Sequence, residues 1–423
     1  MNDASLNQAL RGPGDNAAYD VMAIRRDFPI LQKEVHGRPL VYLDNGASAQ
    51  KPRAVTERMT RVYEEGYANI HRGVHYLSQK ATEDYEDARQ RVAEFLNAAG
   101  AEEIVFTRNA TEAINLVAAS FGRSHLKQGD KVVLSVMEHH ANIVPWQLLR
   151  ESVGIELRIV PIDERGDLDM DAYADILKEE RIALVAMTHA SNALGTVTPA
   201  AEIVRLAHER GVPVLLDGSQ AAVHRAVDVR ALDADFYVFT GHKLYGPTGI
   251  GVLYGKKELL ASMPPYQGGG DMIGRVTFEK TTYREPPFRF EAGTPPIVEA
   301  IGLAAAIDYV TGIGMENISA HEQALLEYAT TRLEQVEGLH IHGRARSKCA
   351  ILSFTMDNAH SHDVGTIVDR AGVAVRTGHH CAQPLMDTLG LVATARASFG
   401  MYNTTGEADA LIAALEDVNR IFG

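Results

Sequence analysis

The sequence predicts an α/β protein: a large domain on a mostly parallel seven-stranded sheet, followed by a smaller α+β domain at the C-terminus. Three observations predict it. Seven short apolar, β-branched runs alternate with longer amphipathic stretches, the pattern of strands buried on both faces and joined by helices. A Pro- and Gly-rich break over 264–296 then ends the alternation. Finally, 423 residues, 46% hydrophobic and 23% charged, suffice for roughly two or three domains of an ordinary globular protein.

In chain order, residues 1–18 carry Gly12, Pro13, Gly14, Asp15 and Asn16 without a hydrophobic period, so a flexible tail is expected. From about Ser78 to Asn97, Tyr85, Ala88, Val92, Phe95 and Leu96 recur at helical spacing. The seven strand candidates are Glu103–Thr107, Lys131–Ser135, Ile155–Val160, Ala183–Met187, Val212–Leu216, Asp235–Phe239 and Gly251–Tyr254. The break holds Pro264, Pro265, Gly268, Gly269, Gly270, Pro286, Pro287, Gly293, Pro295 and Pro296. It is too long for an idle connection, so it is expected to bind something or to cross an interface. A helix follows from about Ile297 to Gly312. Another helix from about Met315, strands near Cys349–Thr355 and Val373–Arg376, and a terminal helix make the smaller domain. The expected division is 35–310 for the large domain, with 19–34 and 311–423 forming the small one.

Charge and cysteine usage exclude several function classes. Lys plus Arg number 41 against 55 Asp plus Glu, a net charge of −14, which disfavours nucleic acid or an anionic membrane as partner. Two cysteines exclude a disulfide framework and fit a reducing compartment. The polar N-terminus reads as no signal or transit peptide, and no run of eighteen apolar residues occurs, so a cytoplasmic location is expected.

One of the two cysteines stands in Arg376-Thr-Gly-His-His-Cys381. Neighbouring cations lower a thiol pKa from its usual value of about 8.5, so Cys381 reads as reactive, against the alternative of a small buried apolar residue. Ligands of an open α/β sheet sit beyond the carboxyl ends of its strands, so the residues there matter most. After the first run comes Thr107-Arg-Asn-Ala-Thr111, whose helix start and hydroxyl can bind phosphate, or which is an ordinary N-cap by Asn109 or Thr111. After the fifth comes Asp217-Gly-Ser-Gln220, which can hold a protonated ring nitrogen and a ring oxygen, or make a surface turn. After the sixth comes Thr240-Gly-His-Lys243, where an amine with lowered pKa can form a Schiff base, or stay an exposed lysine. Together, the acid, the lysine and the phosphate site describe a pyridoxal phosphate pocket.

With these residues in place, the sequence resembles the class V, fold-type I pyridoxal phosphate enzymes, and among them the SUF-type (group II) cysteine desulfurases. The resemblance runs from about Tyr19 to Phe422. Its motifs are Tyr42-Leu-Asp-Asn-Gly-Ala-Ser-Ala49, Asn69-Ile-His-Arg-Gly-Val-His75, Glu138-His-His-Ala-Asn142, Asn192-Ala-Leu-Gly195, Asp217-Gly-Ser-Gln220, Thr240-Gly-His-Lys243, Phe290-Glu-Ala-Gly-Thr-Pro295, Arg376-Thr-Gly-His-His-Cys381 and Arg396-Ala-Ser-Phe399. The resemblance implies that Lys243 carries the cofactor as a Schiff base, that His140 stacks on its ring, that Asp217 pairs with the ring nitrogen and that Gln220 meets the phenolic oxygen. Thr111, Thr240 and His242 would hold the phosphate, with Gly268 and Thr294 from the other subunit of a homodimer. Asn192 and Arg396 would bind the substrate carboxylate, with Arg376 near Cys381 and with His71 and Arg72 at the mouth of the site. L-cysteine would become L-alanine, its sulfur passing to Cys381 as a persulfide and then to a small acceptor protein of the SUF system, for iron–sulfur cluster assembly. His140 or His380 would take the substrate thiol proton. Selenocysteine lyase is the alternative activity.

Three positions depart from the family pattern: Ala110 in place of a second Thr, Gln267 in place of Glu, and Ser219 in place of Ala. Cys349 lies in an alternating apolar run and reads as buried. The pairs His139/His140 and His360/His362 lack metal-ligand spacing, so no metal site is expected, and Trp146 reads as a packing residue.

Overall fold

The computed structural model describes residues 19–423; the N-terminal tail expected over 1–18 lies outside the described residues. Helix α1 (Tyr76–Phe95) buries Ala81, Tyr85, Ala88 and Val92, the apolar face anticipated from their spacing. Its buried Arg89 reaches across to Glu291 at 2.6 Å, tying the helix to the end of the Pro/Gly-rich break.

All seven strand candidates form strands of a single sheet: β1 (Ile104–Thr107), β2 (Lys131–Ser135), β3 (Glu156–Val160), β4 (Ile182–Thr188), β5 (Val214–Asp217), β6 (Phe236–Thr240) and β7 (Gly251–Gly255). Their order across the sheet is β1-β7-β6-β5-β4-β2-β3. Strand β7 runs antiparallel to both neighbours, β1 and β6, and the remaining pairs are parallel. Helix α2 (Ala110–Val117) starts over β7, and this close approach needs Gly251, because a Cβ there would come within 2.3 Å of the Asn109 backbone.

The break at 264–296 is not wholly irregular. It contains a hairpin of β8 (Ile273–Val276) and β9 (Thr281–Tyr283), which the sequence pattern did not announce. Helices α3 (Ile297–Ile313) and α4 (Met315–Leu333) follow. A four-stranded antiparallel sheet comes next, built from β10 (Leu339–His342), β11 (Ile351–Met356), β12 (Arg376–Gly378) and β13 (Thr394–Ser398) in the order β10-β11-β13-β12. Helix α5 (Ser361–Arg370) lies between β11 and β12, N-capped by the His360 ring, which accepts from the His362 amide. The last helix, α6 (Thr405–Phe422), opens with a Thr404/Glu407 capping box.

Two large apolar cores flank the central sheet, and a third packs inside the small sheet. The segment 19–34 straddles them. Phe28 and Leu31 pack in the large core, while Arg25 makes a fully buried ion pair with Glu407 of α6 at 2.9 Å. Val41 and Leu43 pack with the small sheet instead, because Val41–Tyr42 pairs in parallel with Val373–Ala374. Cys349 and Trp146 are buried, the tryptophan donating to Asn142 Oδ1 at 3.0 Å. No single helix among the described residues is long and apolar enough to cross a membrane.

Candidate active site

The carboxyl ends of β4, β5 and β6 open into a cavity of about 250 Å³. Thr188, Asp217 and Thr240, the last residues of those strands, all line it. Eleven of the side chains singled out from the sequence line it together: Lys243, Cys381 and His380; Thr111, Asp217, Gln220, Thr240 and His242; Asn192, Arg376 and Arg396. Residues as far apart in the sequence as Thr111 and Arg396 thus share one wall because the small sheet closes over the strand ends.

Lys243 sits in the turn after β6, and that turn is tightly held. The carbonyl of His242 accepts from the Ala49 amide (3.1 Å), Ser48 Oγ (3.2 Å) and Lys51 Nζ (2.9 Å). Burial pulls the Lys243 amine down to about 8, with Asp217 opposing the shift and Arg396 adding to it. Lys243 Nζ has no hydrogen-bond or ion-pair partner among the described residues. Asp217 accepts from the Ser219 amide at 3.0 Å, so the Ser219 departure from the family pattern costs no contact, because the donor is backbone. Gln220 donates to the Gly46 carbonyl at 2.7 Å.

At the start of α2, Asn109 is the N-cap, accepting from Glu112 N at 2.9 Å, and Thr111 stands exposed at the cavity rim. The Ala110 departure places a methyl group in the wall where a second hydroxyl was looked for. Gln267 donates to Glu112 Oε1 at 3.4 Å, outside this cavity.

Cys381 is exposed, and its turn is left-handed at two consecutive positions, with φ of 53° at His380 and 54° at Cys381. Non-glycine residues rarely adopt that conformation unless their surroundings hold them there. The holding contacts are His140 N to the Cys381 carbonyl (2.7 Å), Asn192 Nδ2 to the His380 carbonyl (2.7 Å), and the His380 Nε2–Thr394 Oγ1 bond (2.8 Å). Burial and the nearby arginines push His380 down to about 3, so its ring is neutral at physiological pH.

The structure corrects one residue outright: His139, not His140, lines the cavity. His139 is the N-cap of the short turn His140–Asn142, and its Nδ1 accepts from Ala141 N at 3.0 Å. This leaves Nε2 as the protonated nitrogen of the neutral ring. Burial, with Lys243 adding to it, holds His139 down to about 4. The side chain of His140 leaves the backbone in the other direction and accepts from Gln383 N at 3.1 Å. Extended backbone at residue 139 followed by a tight turn sends adjacent side chains apart, a phase that the sequence His-His does not reveal. Beneath them, Glu138 is fully buried. It accepts from Ser135 Oγ (2.5 Å), Thr188 N (2.9 Å) and Asn142 Nδ2 (2.6 Å), and burial lifts it to about 7.

Besides His140, four of the singled-out residues are not in this chain's own cavity. His71 bonds Glu86 at 2.8 Å, and Arg72 pairs with Asp271 at 3.1 Å. Gly268 and Thr294 are exposed elsewhere on the surface. Conversely, sequence reasoning gave no role to Asp44, which binds both Arg376 and Arg396. Its signal was present in the Tyr42-Leu-Asp motif, but nothing local tied that carboxylate to arginines more than 300 residues away.

Several buried polar atoms of the cavity lack a protein partner: Thr240 Oγ1, His380 Nδ1 and Arg396 Nε. Buried polar groups are normally satisfied, so this wall is shaped for a polar, anionic ligand. A carboxylate at one strand end, a partnerless lysine of depressed pKa at the next, and a hydroxyl at a helix start fit pyridoxal phosphate. Fold and site together define a fold-type I pyridoxal phosphate-dependent enzyme.

The comparisons with known proteins narrow that class. The aminotransferase class-V family model matches residues 41–411. The curated cysteine desulfurase of Dickeya dadantii is 52% identical over 406 residues, covering 96% of this chain and 98% of its own. Among solved structures, the Escherichia coli cysteine desulfurase CsdA, with an S-sulfonic acid, superposes with a TM-score of 0.89 at 38% identity, covering 96% of this chain and all of that one. A C-DES mutant with glycine covalently linked to its pyridoxal phosphate cofactor superposes with a TM-score of 0.80 at 25% identity, covering 94% of this chain and 99% of that one. The chain belongs to the class-V aminotransferase family and, within it, to the cysteine desulfurases.

Proposed function

We propose that this enzyme is a SUF-type, group II cysteine desulfurase that moves sulfur from L-cysteine onto Cys381 for iron–sulfur cluster assembly. The observation that carries the reading is that Lys243, Asp217 and Cys381 line one cavity. Pyridoxal phosphate, once bound there, supplies an electron sink for the substrate carbon. Asp217 holds the ring-nitrogen proton, and Gln220 bonds the ring oxygen. Thr240, His242 and Thr111 hold the phosphate. His139 takes the stacking position earlier given to His140. Arg396 and Asn192 bind the substrate carboxylate.

Burial lowers the Lys243 amine to about 8, so more of it is unprotonated near neutrality than of an ordinary lysine, and it takes the Cα proton. The Cys381 thiolate attacks the sulfur of L-cysteine. A sulfur–sulfur bond forms as the substrate carbon–sulfur bond breaks, and the electron pair departs on carbon. That carbon takes up protons and leaves as L-alanine, and the enzyme retains a persulfide. The His139 Nε2–H serves as a hydrogen-bond donor toward the substrate sulfur. His380, neutral and bonded to Thr394, positions Cys381.

The protein acts as a homodimer in this reading, with Gly268 and Thr294 completing the partner's phosphate site and His71 and Arg72 at its mouth. The support is that these residues lie outside their own chain's cavity. The large domain carries the cofactor, the small domain brings Arg376, Cys381 and Arg396 over it, and a small acceptor protein of the SUF system collects the sulfur from exposed Cys381.

The test is direct. Purified enzyme incubated with L-cysteine releases L-alanine and forms a protein persulfide. Cys381→Ser keeps the visible absorbance of the cofactor and loses persulfide formation; full sulfur transfer by that variant would overturn the reading. Lys243→Ala loses both.

A further inference from the structure

Lys51 stands behind the turn that carries Lys243. Its half-buried amine donates to the carbonyls of Ala49 and His242, the latter at 2.9 Å, and pairs with no carboxylate among the described residues. Burial lowers it to about 8, with no acid to offset the shift. A cation withdrawn from water without a counter-charge is costly, so its position needs a reason. Capping the His242 carbonyl is not reason enough, because the Ala49 amide and Ser48 Oγ already donate to that oxygen, at 3.1 Å and 3.2 Å.

The reason lies on the other side of His242. The residues that face the phosphate in the reading above are Thr111, Thr240 and His242, and none of them carries a charge. The buried Thr240 Oγ1 has no partner. The His242 ring is held down to about 4 by burial, then by Lys243 and then by Lys51, so it is neutral. The Lys51 charge is thus felt at a ring that lines the cavity. The cations that line the cavity themselves are committed elsewhere: Lys243 to the aldehyde carbon of the cofactor, Arg376 and Arg396 to Asp44. A phosphate monoester carries about −1.5 to −2 charges at neutral pH, and the start of α2 supplies only about half a positive charge. One side of the His242 turn therefore holds a cation without an anion, and the other side is shaped for an anion without a cation.

We infer that Lys51 is the counter-charge of the phosphate site, acting across His242 without touching the ligand. The inference rests on the cofactor placement proposed above and deepens it. A fixed ammonium in a half-buried position attracts a phosphate over several ångströms, because little water lies between them to screen it. The phosphate in turn offsets the cost of keeping Lys51 charged.

The experiment uses two probes, pyridoxal phosphate and pyridoxal, which share ring and aldehyde and differ in the phosphate. Full-length enzyme freed of cofactor is titrated with each at pH 7, and dissociation constants are read from the visible absorbance that each gives on Lys243. The ratio of the two constants isolates the phosphate. In Lys51→Gln, affinity for pyridoxal phosphate falls by about tenfold, the scale of one charge several ångströms away in a half-buried site, while affinity for pyridoxal stays. Lys51→Arg keeps the charge and the wild-type ratio. A Lys51→Gln variant that loses both affinities equally overturns the inference, because the amine would then only shape the Lys243 turn. So does a Lys51→Arg variant with the ratio of Lys51→Gln. Should Lys51→Gln fail to fold, Lys51→Met, which buries no unpaired amide, takes its place under the same outcomes. A wild-type enzyme without preference for pyridoxal phosphate removes the phosphate placement and the inference with it. A strong wild-type preference that survives in Lys51→Gln removes the inference alone.

Discussion

At the scale of single residues, Lys243 makes the sharpest claim, because its titration has a sign. Its pKa falls from 10.5 to about 8 through burial. Between those values the unfolded chain holds more protons than the folded one, so folding stability rises with pH across that window. Below it, the buried amine carries its full cost. In the cofactor-free protein, Lys243→Met is therefore more stable than wild type at pH 7, by about 2 kcal/mol. That advantage shrinks as pH climbs above 8. Urea unfolding at pH 7 and pH 9.5 measures both; a gap that does not change with pH would remove the assignment of the depressed amine. The adjacent histidines give a second contrast. His139→Ala takes away a ring and a hydrogen-bond donor in the cavity wall and lowers kcat/KM by about a hundredfold, the scale of one lost preorganised donor. His140→Ala loses the bond from Gln383 N and lowers stability by about 1 kcal/mol, with the smaller effect on turnover. Equal kinetic losses in the two variants would sink the distinction.

At the scale of elements, what could be read from the sequence was what depends on near neighbours. The seven sheet strands were legible because each is a short apolar run buried on both faces, from Ile104–Thr107 to Gly251–Gly255. Lys243, Asp217 and Cys381 were legible because each stands beside a strand end or a glycine turn of unusual composition. The hairpin Ile273–Val276/Thr281–Tyr283 was not, since Gly274 and Arg275 break any apolar alternation and most of its residues face outward. Asp44 was not, because its arginines are brought to it by the small sheet. The orientation of His139 was not, because it depends on the phase of one tight turn. The Cys381 turn carries the element-scale prediction. Gly378 adopts φ of 123°, with open space where a Cβ would stand. Gly378→Ala therefore meets only backbone strain, about 1–3 kcal/mol. Thermal unfolding reads the loss, and persulfide formation falls while the absorbance of the cofactor stays. Unchanged stability and sulfur transfer would mean that the turn holds Cys381 without strain.

At the scale of the whole molecule, the proposed homodimer predicts that one chain supplies most of a site and not all of it. Gly268 and Thr294 lie outside their own chain's cavity, and the chain also exposes large apolar side chains: Val74 at 94%, Tyr76 at 76% and Phe278, at the hairpin tip, at 109%. Apolar groups this exposed mark association surfaces. In the homodimer proposed above, a second copy covers these side chains and brings its Gly268 and Thr294 to the phosphate site, which gives the long Pro/Gly-rich stretch a role. Replacing Tyr76 and Phe278 together by aspartate places two like charges in that surface, and sedimentation then shifts from dimer to monomer. The monomer retains its fold, because neither side chain is part of an apolar core. It binds pyridoxal phosphate at least tenfold more weakly, since the partner's contacts to the phosphate are gone; a loss of that size corresponds to about 1.4 kcal/mol. Equilibrium dialysis of cofactor against both forms measures it. A monomer that holds the cofactor as tightly as wild type would confine the phosphate site to Thr111, Thr240 and His242 of a single chain, and the long segment would then need another reason to exist.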